Sequence, residues 1–260
     1  MDCEFDERSG YLFALDEKQE KTLEKIWEAS NEVGIPMEYT KDCPFPIPFV
    51  KAVQIPGQGQ FHPLKYIDGL ATVFNKNGGH IADNCRVTSV SPDDNYLTVN
   101  TTSGPIIARQ VIYATHTPPG VNILHFRNAP YRSYVLAAKL KGSYPQALGY
   151  DLEDPYHYYR TQKIEGEEFL IAGGADHKTG HEDDTGVRFS MLENYVRQYF
   201  DVETIAYSWS SQYYESADGL PYIGRLPGSD KRIFVATGYR KRDDIWHDSR
   251  TNIMRSYCQK

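Results

Sequence analysis

The sequence predicts an α+β fold built from two discontinuous pieces. Three observations predict it. Short apolar runs separated by turn residues fill most of the chain, and only three segments carry a helical period. Two apolar strands, Val-Ile-Tyr-Ala-Thr-His at 111–116 and Ile-Phe-Val-Ala-Thr-Gly at 233–238, close on the same Ala-Thr pair. Strand ends of that kind run into turns that touch a nucleotide, yet no glycine-rich phosphate loop accompanies them.

The elements follow in order. Residues 10–15 read as a short strand. Asp16 and Gln19 have capping-box spacing, and the helix they open runs to about Val33 with Leu23, Ile26, Trp27 and Val33 on one stripe. Gly34-Ile35-Pro36 ends it. Residues 43–56 hold prolines at 44, 46, 48 and 56, so this stretch is expected as loop or edge strand. His62-Pro63 opens a second helix, with Tyr66, Leu70, Val73 and Phe74 in a stripe and Gly78-Gly79 as the stop. Strand-like runs follow at 86–90, 96–100, 106–108 and 111–114, with turns at 91–95 and 103–105. Further strands are expected at 133–140, 157–161 and 168–172. A helix near 190–200 turns Leu192, Tyr195, Val196, Tyr199 and Phe200 inward, and residues 205–238 return to strands.

Length and composition bound the function. A chain of 260 residues, 40% hydrophobic, has ample length for a core. The net charge of −7 and the lack of a basic stripe exclude nucleic acid and anionic membranes as partners. Cys3, Cys43, Cys85 and Cys258 show neither zinc spacing nor a disulfide framework, so no metal is expected and a reducing compartment fits. No apolar run approaches about 18 residues, so no membrane span is expected. The acidic, polar N-terminus does not read as a secretory signal; the expected location is cytoplasmic.

The chemistry concentrates at the paired strand ends. A small residue such as Ala114 lets backbone approach a nucleotide, and the Thr115 hydroxyl can donate to it; alone, this is equally the end of any buried strand. The companion block, Asp-Gly-Leu-Pro-Tyr-Ile-Gly at 218–224 followed by 233–239, sharpens the case. Its glycine-bearing turns permit the close approach or positive φ that a ring lying on backbone requires.

With Gln-Phe-His-Pro-Leu-Lys-Tyr (60–66), Phe-Leu-Ile-Ala-Gly-Gly (169–174), Asp-His-Lys-Thr-Gly (176–180) and Tyr-Ser-Trp-Ser-Ser-Gln (207–212), these motifs resemble the D-amino-acid-oxidase-like family of FAD-dependent oxidoreductases. Glycine and sarcosine oxidases belong to it. The resemblance covers roughly residues 10–240 and is closest to a bacterial subgroup whose members often carry a C-terminal Rieske domain. No Cys-x-His…Cys-x-x-His signature occurs here, so no Rieske cluster is expected in this chain.

The resemblance implies FAD as cofactor and a small-molecule amine as substrate. It places Val87 against the adenine, Ala114 and Thr115 along the dinucleotide, and Gly224 and Gly238 at the isoalloxazine end. Tyr159, Arg160, His177, Trp209 and Gln212 would face or border the substrate pocket. Arg160 also reads as a surface ion pair, His177 as a turn residue satisfied by its neighbours, and Trp209 as core. No side chain is expected to be an obligatory acid or base, so the catalytic residue is left unknown. The implied division is a substrate domain, mainly antiparallel sheet, from 10–62 and 119–212, and a partial FAD-binding domain from 63–118 and 213–242.

This sequence departs from the family pattern in three places. The G-x-G-x-x-G of a first βαβ unit is missing; Gly57-Gln-Gly59-Gln-Phe-His62 lacks the third glycine and follows no apolar strand. The FAD domain is therefore expected to be incomplete and the chain a truncated member, either an oxidoreductase fragment or a non-catalytic remnant that no longer holds FAD. Residues 243–260 read as an aberrant tail, and the stretch 240–249 that opens it has no apolar face. One coding of 243–249 read a base later gives Met-Thr-Tyr-Gly-Thr-Ile, which resembles the family's tail, so a frameshift is expected. Finally, Gln212-Tyr213-Tyr214 occupies the region where glycine-oxidase-like members hold a carboxylate with arginine, which disfavours a simple α-amino acid against a larger or neutral amine.

Overall fold

The computed structural model describes residues 2–120, 122–181 and 184–239. The tail at 243–260 lies outside the described residues. In chain order the elements are β1 (Asp6–Ala14), α1 (Glu17–Glu32), β2 (Glu38–Thr40), β3 (Lys51–Gln60), α2 (Pro63–Lys76), β4 (Val87–Pro92), β5 (Leu97–Thr101), β6 (Gly104–Ala108) and β7 (Val111–Tyr113). A 3₁₀ turn (Ile123–Phe126) leads into β8 (Asn128–Leu140), β9 (Leu148–Asp151), β10 (Tyr158–Ile164), β11 (Glu167–Lys178), α3 (Thr185–Tyr199), β12 (Val202–Ser216), β13 (Tyr222–Arg225) and β14 (Ile233–Thr237). The fold class is α+β, as its sequence reads.

The described chain forms two compact units. One comprises the residues up to His80 with Arg132–Ser211; the other comprises Ile81–Tyr131 with the described residues from Gln212 onward. The divisions fall after 80, 131 and 211, where the sequence places them after 62, 118 and 212. Helix α2 thus belongs to the first unit.

The first unit is organised on an eight-stranded sheet in the order β12-β8-β11-β10-β9-β1-β3-β2. Its pairings are mainly antiparallel, with β1 and β9 running parallel. One face carries the main core, where Phe13, Phe45, Tyr134, Leu136, Tyr159 and Leu170 pack against Leu192 and Val196 of α3. Leu192 and Val196 lie four apart, so one helical stripe meets the sheet, and each such buried side chain stabilises by roughly 1.5–3 kcal/mol. Helix α1 is held as its spacing predicts: Asp16 accepts from the Gln19 amide at 2.8 Å, and the Gln19 side chain accepts from the Leu15 amide at 2.8 Å. Leu23 anchors it against Ala14 and Val53, whereas Val33 is exposed because it is already the C-terminal cap.

One expectation is corrected here and one element is left uncovered. The proline-rich stretch is not confined to loop or edge strand: residues 52–54 lie in β3, paired on one side with β1 and on the other with β2. Proline is tolerated because Pro56 lies beyond the end of β2, where the β1–β3 register shifts across a bulge. Helix α2 forms with Pro63 in its first turn, but its apolar stripe finds no cover among the described residues: Leu70, Val73 and Phe74 are 45%, 49% and 52% exposed.

The second unit holds two three-stranded sheets, β4-β5-β6 and β13-β14-β7. The first is an antiparallel meander, as the turn chemistry implies. Leu97 of the meander packs with Leu124, Leu226, Ile233 and Val235 into one small core. Arg232 ties the sheets together. Its guanidinium pairs with both oxygens of Asp230 at 2.8 Å and donates to the Asp93 carbonyl at 2.9 Å, in the meander's first turn.

Candidate flavin-ring site

In the second unit β14 runs parallel to β7, with Ile233 opposite Val111, Phe234 opposite Ile112 and Val235 opposite Tyr113. The two Ala-Thr pairs therefore leave the sheet side by side at the carboxyl ends of parallel strands, the position where open α/β sheets bind ligands. Antiparallel β13 adds Ile223 opposite Ala236 and Gly224 opposite Val235. Past the strand ends the backbone turns sharply, with His116 at φ 62° and Gly238 at φ 75°. Glycine is required at 238 twice over: its φ is left-handed, and a Cβ would lie 2.9 Å from Asn128 Oδ1 and 3.2 Å from Ser216 Cβ.

These turns enclose a cavity of about 230 Å³, lined by Ala114, His116, Tyr213, Tyr214 and the segment Ala236, Thr237, Gly238, Tyr239. Its aromatic wall is internally fixed. The Tyr214 ring lies 5.7 Å from the His116 ring, and the Tyr213 ring stacks on Tyr131 at 5.7 Å. Gln212 Nε2 donates to the Tyr214 hydroxyl at 2.9 Å. Burial pushes the Tyr239 and Tyr113 hydroxyls above the ordinary tyrosine range.

The two threonines are occupied within the protein. Thr237 donates to the His116 carbonyl and accepts from Asn128 Nδ2 at 3.2 Å, which stitches the two strand ends. Thr115 donates to the Thr117 carbonyl at 2.8 Å, so the hydroxyl proton assigned above to a nucleotide is spent locally. Asn128 Oδ1, Ser216 Oγ and Tyr222 OH, by contrast, are buried with no hydrogen-bond partner.

Of the residues singled out from sequence, Ala114 and Gly238 line this cavity, Thr115 continues the Ala114 turn, and Gln212 supports its wall. Gly224 stands in β13 with φ 155° and open space where a Cβ would go. Val87 is an exposed residue of the meander, opposite Thr101.

The other four belong to the first unit. Tyr159 is core, 1% exposed, with its hydroxyl unpartnered, and burial raises its pKa strongly. Arg160 donates to the Phe61 carbonyl at 3.2 Å. His177 lies at the end of β11, not in a turn, with Nε2 2.9 Å from the Tyr134 hydroxyl and Nδ1 3.0 Å from the Lys178 carbonyl. Trp209 is on β12, 44% exposed. The sequence reading missed His116, Tyr239, Asn128 and Ser216. The first two adjoin the Ala-Thr motifs and had a signal; the last two are buried polar residues that only the fold brings to Gly238.

No group of three or more His, Cys, Asp or Glu side chains among the described residues can hold a metal ion, and no described helix is long and apolar enough to cross a membrane.

Comparison with known proteins places this arrangement. The family model described as FAD dependent oxidoreductase (DAO) matches residues 1–242. A relative named as a Rieske 2Fe-2S iron-sulfur protein, YhfW of Bacillus subtilis (strain 168), is 29% identical over 243 residues, covering 93% of this chain and 48% of the relative. The chain thus spans about half the length of that curated relative.

Solved structures agree in fold. Glycine oxidase from Geobacillus kaustophilus superposes with a TM-score of 0.71 at 19% identity, over 91% of this chain and 66% of the oxidase. NikD, an amino acid oxidase of nikkomycin biosynthesis, gives 0.73 at 14% identity, over 91% of this chain and 70% of NikD. The FAD-bound L-α-glycerophosphate oxidase of Mycoplasma pneumoniae gives 0.72 at 14%, over 92% and 70%. With a family model matched across nearly its whole described length and parallel strand ends set around a glycine-floored cavity, the chain belongs to the DAO family of FAD-dependent oxidoreductases.

Proposed function

We propose that this chain is a portion of an FAD-dependent oxidoreductase that acts on a C–N bond of an amine or amino-acid-type substrate. The observation that carries the reading is the cavity at the ends of β7 and β14, with Ala114 and Gly238 in its lining and unpartnered Asn128 Oδ1 and Ser216 Oγ beside Gly238. A flavin ring is flat and edged with hydrogen-bonding groups. It suits small residues such as Ala114 and Gly238, which let it lie against backbone.

The residues fit the ring end of FAD. They fit the pyrophosphate end poorly, and the three described helix N-termini give the reason. Helices α1 and α3 are capped by Asp16 and Asp184, whose carboxylates already accept the first amides and repel an anion; α2 begins with Pro63, which has no N–H to offer. We therefore assign the pyrophosphate-binding βαβ unit to polypeptide beyond these residues. The uncovered faces of α2 and of β7, where Ile112 is 67% exposed, support that assignment.

When bound, FAD supplies the acceptor for a hydride from a C–H beside nitrogen. The chain's own part is orientation: Gly238 allows close approach, Thr237 fixes the two strand ends to each other, and Tyr213 and Tyr214 contribute aromatic lining. Arg160, His177 and Trp209 remain proposed borders of the substrate region, and Val87 of the adenine region.

The test is to mix the purified chain with FAD without oxygen and add a panel of amines. The reading expects bleaching of the bound flavin band by an amine and none by a hydroxy acid. A flavin band that no amine bleaches would defeat the assigned reaction. A chain that binds no FAD would favour the second reading, a non-catalytic remnant, for which the ill-fitted phosphate end is the supporting observation.

A further inference from the structure

We propose that the exposed edge strand β12 pairs with β12 of a second copy of this chain, antiparallel about Ser208, to form a homodimer with one continuous sheet. β12 is the terminal strand of the eight-stranded sheet. Within the first unit, alternate backbone N–H and C=O groups from Val202 to Ser211 therefore face outward, with no strand to pair with among the described residues. Long edges are normally blocked by charged side chains or proline. The opposite edge is guarded in this way: β2 is only three residues long, begins at Glu38 and runs into Lys41 and Asp42. β12 carries no such guard, because residues 204–211, Thr-Ile-Ala-Tyr-Ser-Trp-Ser-Ser, hold no charge and no proline. Its side chains are open to a partner: Tyr207 and Trp209 are 56% and 44% exposed, and Ser208 and Ser211 are exposed as well.

The strand itself specifies a second copy as the occupant. Antiparallel pairing about a two-fold axis through Ser208 sets Tyr207 opposite Trp209 of the second copy, and Trp209 opposite its Tyr207. Aromatic cross-strand pairs of this kind stabilise a sheet. Ile205 then meets Ser211 and Ala206 meets Ser210, so no charge faces another across the seam. Electrostatics favours the same place. The chain carries a net charge of −7, so two copies repel over most of their surface and approach with least opposition along this neutral run. Flanking side chains are already held: Ser210 Oγ accepts from Arg132 at 2.9 Å, and the Tyr207 ring lies 5.9 Å from the Phe169 ring. Little side-chain freedom is lost when they pair.

The experiment measures the mass of the purified full chain by sedimentation between about 1 and 100 μM, and the cross-linking of cysteine variants by diamide. The expected result is a monomer–dimer equilibrium with no larger species. Ser208→Lys, which places like charges face to face on the axis, weakens it at least about tenfold, and mixing Ser208→Lys with Ser208→Glu restores the dimer. Ser208→Cys cross-links to a dimer, because residue 208 meets itself within the span of a disulfide. Thr204→Cys lies roughly 27 Å from its own copy in this register and cross-links no more than the parent chain. A monomer throughout that range, a larger assembly, a dimer that Ser208→Lys leaves intact, or equal cross-linking by the two cysteine variants overturns the proposal. The parent chain's mass decides the first two outcomes, so the test does not depend on any variant folding.

Discussion

Asp151 shows how one side chain organises its surroundings. Its carboxylate is fully buried, accepts from the His157 amide at 2.7 Å and from the Tyr195 hydroxyl at 3.1 Å, and pairs with His157 Nδ1 at 2.8 Å. The His157 ring stacks on Tyr195 at 3.7 Å, so the segment after β9 is clamped to α3. Burial, then the Asp151 charge, pushes the Tyr195 hydroxyl far up, which keeps it a donor throughout the working range. Asp151→Ala should cost about 3–5 kcal/mol by chemical denaturation, because it strands buried donors; a loss under about 1 kcal/mol would show that the cluster holds nothing.

Asp230 makes a pH-dependent contribution of the opposite exposure. Its pKa is lowered to about 2, first by the Arg232 side chain and then by the Arg232 amide. A carboxylate whose folded pKa is depressed stabilises above its unfolded pKa and loses that contribution as pH falls through the folded value. Stability of the protein should therefore fall between roughly pH 4 and 2, with a shallower fall in Asp230→Asn. Identical profiles for the two would remove Asp230 from the account.

At the scale of elements, what was legible in the sequence is what is determined locally. Helix α1 is announced by Asp16 and Gln19, and α2 by Pro63, because caps are made by residues within one turn. The meander follows from turn residues for the same reason. Strands β2 and β9 escaped: each is only three or four residues long, and β9 exists because it pairs with β1 from far along the chain. Helix α3 begins at Thr185, five residues before its expected start, since Asp184 caps it with no apolar stripe to advertise the first turn.

The amphipathic reading of α2 was right about the pattern and silent about the cover. Because Leu70 and Val73 are about half exposed, Leu70→Gln with Val73→Gln should change stability by less than about 0.5 kcal/mol while raising solubility. A cost above about 2 kcal/mol would mean that this face is already packed.

For the whole molecule, the two Ala-Thr strand ends located the candidate site in the sequence, and the parallel pairing of β7 with β14 explains why they act together. Asn128 and Ser216 were not legible, since nothing local marks a polar residue that tertiary packing will bury beside Gly238. Tyr159 read as a pocket residue and stands in the core of the first unit, because an aromatic on an alternating strand has the same pattern in either role.

The central claim is that the cavity floored by Gly238 receives the flavin ring. It is tested most directly by titrating FAD into the purified chain and into Gly238→Val while recording the visible flavin spectrum. The account predicts a saturable one-to-one perturbation of the flavin band in the parent chain. In the variant, where the added side chain meets Asn128 and Ser216, binding should weaken at least about tenfold. A spectrum that stays that of free FAD throughout, or equal binding by parent and variant, would contradict it.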